Sequence, residues 1–507
     1  MKTTHEKPVL MIGLDAAEVT LIERWMGEGS LPNLRRLRDR GAFGSLRSSA
    51  DWLVGSPWPT FYTSRPPAEH GFYHYLMWRS DFMDTQRPRA ERIPLEPFWR
   101  ALGDEGRRVI ALDVPITYAP VPFEGLELSG WGTHETLEEP ASYPPELLDE
   151  VRASFGNPPL GGEESYFLTP AELLDVRDRC VRTTEIVADA GVDLVRRHPW
   201  DLFLICFATT HRAGHQLWSA TNQLGEATPD VDEELRNALK SVYVACDQAV
   251  GRLVEAAGSD VATLVFSVHG MGPNASRTDL LRELLARILE DRAGEVPGVV
   301  RRMRELMPLK WRTRIKHRLP RSVQDRLTLF WRTGGIDWSH TRAFAVFGDL
   351  EGYVRVNLEG REAAGIIEPG AAYEAICREL IEGLLTFRDA DTGEPLVSSI
   401  GRREELYPTG EMNDVLPDLI IRWSPRPAAE HRAVVSDRYG EIAWPTPGRH
   451  PQGRSGNHKP DGFLIAAADG IAPGSDLSGR HVMDLAPTVY RLMGLEPPAE
   501  MRGQALF

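Results

Sequence analysis

The sequence predicts an α/β fold in which a mostly parallel central sheet is flanked by helices on both faces. Two observations support this prediction: short, continuous apolar runs, and amphipathic segments that alternate with them along the 507 residues. A continuous apolar run is typical of a strand that is buried on both faces of a parallel sheet. Strands that alternate with helices favour crossover connections within one sheet, so we expect a single domain over residues 1–507.

Five apolar runs are the predicted strands. They are PVLMIGL at 8–14, RRVIALDV at 107–114, DLFLICFA at 201–208, VATLVFSV at 261–268 and PDLIIRW at 417–423. Apolar residues at helical spacing predict helices between these runs. The helices are expected at 30–41, at 97–106, around 231–257 and at 373–385.

Two regions depart from this alternation and are predicted to be insertions that form a cap. Residues 84–165 are rich in proline, glutamate and glycine, and we expect an irregular insertion there. Residues 275–340 are expected to be a basic helical insertion, because the stretch 300–327 has ten Lys or Arg residues against two acidic ones. This stretch is either a solvated helical surface or a part of the cap that attracts an anionic substrate, headgroup or partner.

Charge and cysteine content limit the class of protein. The net charge of −15 argues against a general nucleic-acid-binding protein. The first apolar run has seven residues, too few for a signal peptide or a transmembrane segment, so we expect a cytoplasmic protein. Cys180, Cys206, Cys246 and Cys377 are scattered and are predicted to be reduced core thiols. The oligomeric state is left open.

Polar residues capable of binding a metal follow the ends of the predicted strands. Because parallel strands end at one edge of a sheet, side chains that follow them are expected to converge there. Imidazole and carboxylate groups are the ligands that zinc and related divalent ions take in hydrolases. His211 and His215 are four residues apart, so they either face one ion together or are ordinary histidines that share a helix face. The proposed ligands are Asp15, His211, His215, His269 and His458.

A hydroxyl nucleophile is predicted in the segment DWLVGSPWPTFYTSRPPAEHGFYHY at 51–75. Ser56 is the first candidate and Thr60 the alternative, because a divalent cation and a helix N-terminus both activate a nearby hydroxyl. Capping of that helix is the competing structural role for these hydroxyls. His70, His74 and Trp78 follow, and they either line the substrate pocket or pack structurally.

Several motifs occur in an order that is characteristic of one enzyme family. They are GLDAAE, SLPNLRRLRDRGAFGSL, WPTFYTSRPPAEHGF, VPITYAP, FSVHGMGP, VNLEGREAAGII, GNHKPDGFLIA and DLAPTVYRLMGLEPP, from about residue 8 to 505. Together they resemble the type I phosphodiesterase/nucleotide pyrophosphatase family of the alkaline phosphatase superfamily. The resemblance implies an alkaline-phosphatase-like fold and a phosphoryl or sulfuryl transfer enzyme with two metal ions, usually zinc, and a Ser or Thr nucleophile.

The resemblance also assigns roles to individual residues. Asp15 and His269 match ligands of the metal nearest the nucleophile. His215 and His458 match two histidine ligands of the second metal. Ser56 matches the nucleophile, although its segment is a little shorter than in the family.

Two positions depart from the family pattern. His211 and Val268 stand where the family has aspartates, so two negative charges are missing from a site expected to hold two dications. A trio of His211, His215 and His458 would still bind one ion and leave a coordination position open. We therefore expect one or two divalent ions per chain, with zinc as the first choice.

The leading hypothesis is a metal-dependent hydrolase of phosphate esters that acts through a covalent phospho-Ser intermediate. The expected substrate is an anionic small molecule, a phosphodiester or pyrophosphate in preference to a monoester. The alternatives are a phosphomonoesterase, a sulfate- or phosphonate-ester hydrolase on the same scaffold, and a catalytically impaired metal-binding homologue. Val268 supports the last alternative, whereas the lack of a C-x-P-x-R motif at 51–65 disfavours a sulfatase.

Overall fold

A computed structural model describes residues 7–133, 136–161, 168–221, 232–290, 336–445 and 447–507. Its strands are β1 (Val9–Leu14), β2 (Ala42–Arg47), β3 (Met77–Arg79), β4 (Asp84–Gln86), β5 (Val109–Leu112), β6 (Gly125–Ser129), β7 (Ala141–Tyr143), β8 (Leu202–Phe207), β9 (Ala262–Ser267), β10 (Gly270–Pro273), β11 (Ala343–Val346), β12 (Gly352–Val356), β13 (Arg388–Asp389), β14 (Val397–Arg402), β15 (Leu419–Trp423), β16 (Ala433–Ser436), β17 (Gly440–Ala443), β18 (Gly456–Lys459), β19 (Gly462–Ala467) and β20 (Arg480–His481). Its helices are α1 (Val19–Gly27), α2 (Pro32–Asp39), α3 (Pro57–Thr63), α4 (Pro67–His70), α5 (Phe98–Asp104), α6 (Glu146–Phe155), α7 (Pro170–Arg197), α8 (Thr209–Thr221), α9 (Glu233–Arg236), α10 (Ala238–Ala257), α11 (Thr278–Leu289), α12 (Ala371–Leu384), α13 (Arg403–Leu406) and α14 (Leu485–Leu492). The basic stretch 300–327 lies outside the described residues.

Nine strands form one mostly parallel sheet in the order β20–β2–β19–β9–β1–β8–β5–β6–β7. The central strand β1 pairs in parallel with β8 on one side and with β9 on the other. Of the nine strands, β19 and β7 run against the common direction. This architecture confirms the predicted fold class.

Side chains of the central strands alternate between two apolar layers, one on each face of the sheet. Leu10 and Ile12 of β1 pack in a layer to which α1, α2, α7, α8 and α10 contribute. Val9 and Met11 pack in the opposite layer, to which α3, α5 and α14 contribute. Because successive side chains of a strand point to opposite faces, a run that is apolar throughout is needed to fill both layers.

A smaller lobe between residues 278 and 444 has its own hydrophobic cluster. It contains an antiparallel sheet in the order β11–β12–β15–β14 and a second one in the order β13–β16–β17, with α11 and α12 packed on them. The run at 417–423, expected in the central sheet, corresponds to β15 of this lobe. That prediction was wrong because a buried apolar run does not specify which sheet it joins.

Residues 84–165 are not the irregular insertion that their composition indicates. They provide β5, β6 and β7, which complete one side of the central sheet. β6 and β7 are short and partly polar, with the sequences GLELS and ASY, so they produce no apolar run that sequence analysis detects.

The four cysteines are free and buried, as predicted. Within the part of the chain that the structure describes, no helix is long and apolar enough to cross a membrane.

Candidate metal centre

Neighbouring strands bring the proposed ligands to one edge of the central sheet. Asp15 follows β1 directly, and His269 follows β9 after one residue. His211 and His215 lie in the first two turns of α8, which begins just after β8. Because β19 runs in the opposite direction, its start lies at this same edge, and His458 of β18 reaches the edge immediately before it.

The imidazoles of His211, His215 and His458, hereafter the histidine trio, converge at this edge. Nε2 of His211 is 2.8 Å from Nε2 of His215 and 2.8 Å from Nε2 of His458. All three side chains are buried. Among the described residues, they form the one group of at least three His, Cys, Asp or Glu whose ligand atoms lie within 4.8 Å of one another.

Hydrogen bonds at Nδ1 decide which nitrogens of His211 and His215 carry protons. Nδ1 of His215 lies 2.9 Å from the carbonyl oxygen of Gly456 and donates to it. Nδ1 of His211 lies 2.8 Å from Oδ2 of Asp15 and donates to that carboxylate. In the neutral state, the Nε2 atoms of both histidines therefore carry lone pairs that face each other with no proton between them. A cation that accepts both lone pairs removes this repulsion.

A divalent cation suits this donor set. Ligand nitrogens of a tetrahedral zinc ion lie ~3.3 Å apart, given Zn–N bonds of ~2.0 Å, and the observed 2.8 Å separations are slightly shorter. Three histidines with one open position are a common pattern of catalytic zinc. The carboxylate of Asp15 on Nδ1 of His211 is the pairing that orients a metal-binding imidazole.

Burial and neighbouring charges keep these groups in the protonation states that a metal requires. Burial lowers the pKa of His458 well below its usual range, and the neighbouring histidines lower it further. Burial also lowers the pKa of His269 to about 4, although Asp15 opposes the shift. Burial raises the pKa of Asp15, but His211, His269 and the hydrogen bond from Trp58 together outweigh burial and hold the pKa of the carboxyl well below its usual range. Asp15 is therefore ionised, and the imidazoles of His269 and His458 are neutral near pH 7.

Two glycines let α8 and β18 approach each other closely. A Cβ on Gly456 would lie 2.2 Å from the carbonyl oxygen of Gly214. A Cβ on Gly214 would lie 2.8 Å from Cγ of Met271. Neither position accepts a side chain without a shift of its neighbours, so Gly456 allows β18 to contact the backbone of α8, and Gly214 allows α8 to contact Met271 of β10.

A small cavity of about 20 Å³ adjoins the trio. Its polar walls are His269, His458, His74 and Asp349. This volume holds roughly one water molecule. Of the histidine trio, His458 is the member that lines this cavity.

Asp349 is a candidate functional residue that the sequence analysis missed. It lies between β11 and β12 of the lobe, with Oδ2 3.3 Å from Nε2 of His74 and Oδ1 3.5 Å from Nη1 of Arg454. Burial raises the pKa of Asp349, but the effects of His74 and Arg454 outweigh it and hold the pKa well below its usual range. The cavity thus contains an ionised carboxylate. Its one sequence signal is the turn FGDLEG after the apolar run AFAV.

The two proposed nucleophiles are hydrogen-bonded within their own segment. Oγ of Ser56 donates to the carbonyl oxygen of Leu53 at 2.6 Å and lies 2.7 Å from Oγ of Ser49. Oγ1 of Thr60 lies 2.9 Å from the same Ser49 oxygen. Ser56 stands at the N-cap position of α3, yet its side chain makes no capping hydrogen bond. Neither hydroxyl is among the groups that line the cavity.

His70 belongs to the same network rather than to the cavity. The amide of Phe72 donates to Nδ1 of His70, so Nε2 carries the proton and donates to Oγ1 of Thr60 at 3.0 Å. Burial, assisted by the charge of Arg65, lowers the pKa of His70 to about 3. These contacts of His70 fit the structural packing role that was considered for it, rather than a role in lining the substrate pocket. The four linked residues, hereafter the hydroxyl cluster, are Ser49, Ser56, Thr60 and His70.

Trp78 lies in a different cavity, of about 90 Å³, between α11 and residues 336–348. Its Nε1 donates to Oε2 of Glu362 at 2.7 Å, and its ring packs on Trp338 and Phe344. Of the three residues proposed to line the substrate pocket, the structure brings His74 alone to the cavity beside the trio.

The resemblance implies a position for the metal nearest the nucleophile, hereafter the first-metal position. Few ligands for that metal are present in this chain. Nε2 of His269 is 3.7 Å from Oδ1 of Asp15, which also accepts a hydrogen bond from Nε1 of Trp58 at 2.8 Å. Val268 is fully buried in the apolar layer that contains α3. No carboxylate oxygen is therefore supplied from position 268.

Comparisons with known proteins agree with the fold and the resemblance. Residues 9–427 match the family model of type I phosphodiesterase / nucleotide pyrophosphatase. The crystal structure of phosphonoacetate hydrolase from Sinorhizobium meliloti 1021 with phosphonoformate is similar, with a TM-score of 0.53, 15% identity, and coverage of 96% of this chain and 95% of that chain. For human ectonucleotide pyrophosphatase / phosphodiesterase 5, the corresponding values are 0.47, 11%, 97% and 96%. No curated protein matches in sequence. Because the family model covers most of the chain, this protein belongs to the type I phosphodiesterase / nucleotide pyrophosphatase family, a family of hydrolases that act on phosphate esters.

Proposed function

We propose that this protein is a metal-dependent hydrolase of phosphodiesters or pyrophosphates. One observation carries the metal dependence: Nε2 of His211 lies 2.8 Å from Nε2 of His215 inside the protein, while Nδ1 of each histidine is hydrogen-bonded outward. Membership of the family supplies the reaction class. Zinc is the proposed ion, because imidazole ligands in a tetrahedral arrangement suit it.

The residues around the trio have separable roles in this proposal. When bound, the divalent ion would stabilise charge on the phosphoryl oxygens and lower the pKa of a water molecule beside it. Asp15 holds the Nδ1 proton of His211 and thereby aims Nε2 at the centre. Asp349 accepts a hydrogen bond from a water molecule in the cavity and orients it. The low pKa of Asp349 makes this carboxylate a weak base, so it orients the water rather than deprotonating it.

The position of Ser56 favours hydrolysis without a covalent phospho-Ser intermediate. Its hydroxyl is held by the carbonyl oxygen of Leu53 and by Ser49. To attack a phosphorus atom bound beside the histidine trio, the hydroxyl would have to leave both of these partners. We therefore propose that Ser56 and Thr60 stabilise the start of α3.

The charge of the cavity favours a diester over a monoester. A phosphodiester carries one negative charge near pH 7, whereas a monoester carries up to two. The ionised carboxylate of Asp349 faces the cavity and repels the additional charge of the monoester.

Reconstitution of the metal-free protein tests this function. The protein would be assayed with and without Zn²⁺ on bis(p-nitrophenyl) phosphate, p-nitrophenyl phosphate and p-nitrophenyl phenylphosphonate, with p-nitrophenyl sulfate as a control. We expect turnover of the diester to exceed that of the monoester, to disappear on chelation and to return with Zn²⁺. Turnover that survives chelation, or hydrolysis of the sulfate ester alone, would contradict the proposal.

A further inference from the structure

We propose that the centre takes a single divalent ion and that Asp15 is the hydrogen-bond partner of a metal-binding histidine instead of a metal ligand. The inference rests on the proposed function, which requires a metal. It differs from the resemblance, which implies two ions and makes Asp15 a ligand of one of them.

Both carboxylate oxygens of Asp15 already have donors. Oδ2 accepts from Nδ1 of His211 at 2.8 Å, and Oδ1 accepts from Nε1 of Trp58 at 2.8 Å. The indole ring of Trp58 packs edge-on against Phe61 and Phe266, so its N–H group is held in place. These two donors orient the carboxylate toward His211 inside the protein.

The histidine at position 211 explains why the role of Asp15 changes. An aspartate at 211 would have no N–H group to offer, so two carboxylates would face each other and would need a cation between them. His211 instead brings a proton to Asp15 on Nδ1 and presents Nε2 to the other histidines. The proton of the imidazole thus replaces a metal ion as the partner of Asp15.

The remaining residues of the first-metal position do not form a second centre. Nε2 of His269 lies near Oδ1 of Asp15, at 3.7 Å, but position 268 supplies a valine and the Ser56 hydroxyl is bonded to Leu53. Within the described ranges, no further His, Cys, Asp or Glu completes a group of three there. Protein zinc sites use three or four protein ligands, so two potential ligands are too few.

Charge balance leads to the same result. Among the described residues, the carboxylates in contact with histidines of this edge are Asp15 and Asp349, and because Asp349 is also paired with Arg454, at most two negative charges are available to balance bound cations. A second dication would leave two uncompensated positive charges in a buried region, at a cost of several kcal/mol.

Metal counting tests the inference on the intact protein. After exchange with Zn²⁺ and removal of the free ion, elemental analysis should find one zinc per chain, and calorimetric titration should give the same stoichiometry. Two ions per chain, or none, would overturn the inference. One zinc per chain without turnover of any ester would contradict the proposed function but agree with the single-ion inference. Two ions per chain with turnover of the diester would agree with the proposed function but contradict the single-ion inference.

Asp15→Asn tests the role of the carboxylate directly. An asparagine keeps the shape and still accepts the Nδ1 proton of His211, so we expect one zinc per chain with an affinity reduced ~10–100-fold. The absorption spectrum of the Co²⁺ form should retain the intensity of a tetrahedral nitrogen site. Asp247→Asn is the matched control, since Asp247 is a buried carboxylate that accepts from Asn33 and Leu34 elsewhere, and its zinc affinity should be unchanged. A changed Co²⁺ coordination in the Asp15 variant would overturn the inference.

Discussion

The histidine trio and the hydroxyl cluster are both buried polar groups, yet their hydrogen bonding differs in kind. In the hydroxyl cluster, protons are available for every link, and the network ends on the carbonyl oxygen of Leu53. In the trio, Nδ1 of His211 and Nδ1 of His215 are hydrogen-bonded outward, and the Nε2 atoms of these two histidines lie 2.8 Å apart. Buried polar groups are normally satisfied by hydrogen bonds. This difference in hydrogen bonding supports the two proposals made above, namely that the hydroxyl cluster stabilises the fold and that the histidine trio binds a cation.

The largest expected effect comes from removing one histidine of the trio. His215→Ala leaves two nitrogens at the centre, so we expect loss of bound zinc and a decrease of turnover by ~100-fold or more. Elemental analysis and the diester assay measure the two effects. His340→Ala is the control, because that histidine is exposed, and it should behave as wild type. Unchanged zinc content in the His215 variant would show that His215 is not a metal ligand.

A smaller effect is expected from the carboxylate that faces the cavity. Asp349→Asn keeps the size of the side chain but removes its charge, and with it the strong acceptor that orients water. We expect turnover to fall ~10–100-fold with zinc content unchanged, and the preference for the diester over the monoester to narrow. Asp437→Asn, at an exposed position of the same lobe, is the control. Wild-type turnover in the Asp349 variant would show that this carboxylate has a structural role and does not contribute to turnover.

Acid should destabilise the metal-free protein through two buried histidines, His70 of the hydroxyl cluster and His269 beside the histidine trio. Burial lowers the pKa of His70 to about 3 and that of His269 to about 4, whereas the pKa of an unfolded histidine is ~6.5. Between these values the unfolded state takes up protons that the folded state does not, so the free energy of unfolding falls as the pH falls. For each histidine we expect a loss of ~2 kcal/mol at about pH 5 relative to high pH.

Urea unfolding at about pH 7 and pH 5 measures this loss. His70→Gln retains a donor for Thr60 and removes the titrating group, so it should reduce the pH-dependent loss by ~2 kcal/mol. An equal loss in the variant and in wild type would show that His70 does not contribute.

The smallest expected effect tests whether the hydroxyl cluster is structural. Ser56→Ala removes one link of the network, and we expect the free energy of unfolding to fall by ~1 kcal/mol while turnover stays within ~3-fold of wild type. Thr60→Val is the matched variant, with a similar expected loss of stability. A fall in turnover of ~1,000-fold with unchanged zinc content would instead identify Ser56 as the nucleophile. The hydroxyl cluster would then have a catalytic role, as the histidine trio is proposed to have.

Sequence analysis was most successful where the signal is local. The strands β1, β8 and β9 are apolar throughout, and Asp15, His211 and His269 follow them within a few residues, so sheet topology alone brings these side chains to one edge. The direction of the Ser56 hydroxyl was not predictable, because it depends on the fold of residues 49–53, where the chain offers competing acceptors.

Asp349 was not predictable for a different reason. It reaches the cavity because the lobe packs on the central domain, which joins positions as far apart as 74 and 349. No periodicity within either segment encodes that contact. The strands β6 and β7 were missed because short, partly polar segments acquire their conformation from neighbouring strands.

The close contact between Gly214 and Gly456 has a consequence for ion selection. Because the backbones of α8 and β18 are in contact at these glycines, the two elements cannot approach each other more closely. Ca²⁺ takes six to eight oxygen ligands at ~2.3–2.6 Å, and a rigid set of three imidazoles provides neither their number nor their chemistry. A methyl group at residue 456 would force α8 and β18 apart and so change the spacing of the histidines without altering any of the proposed ligands.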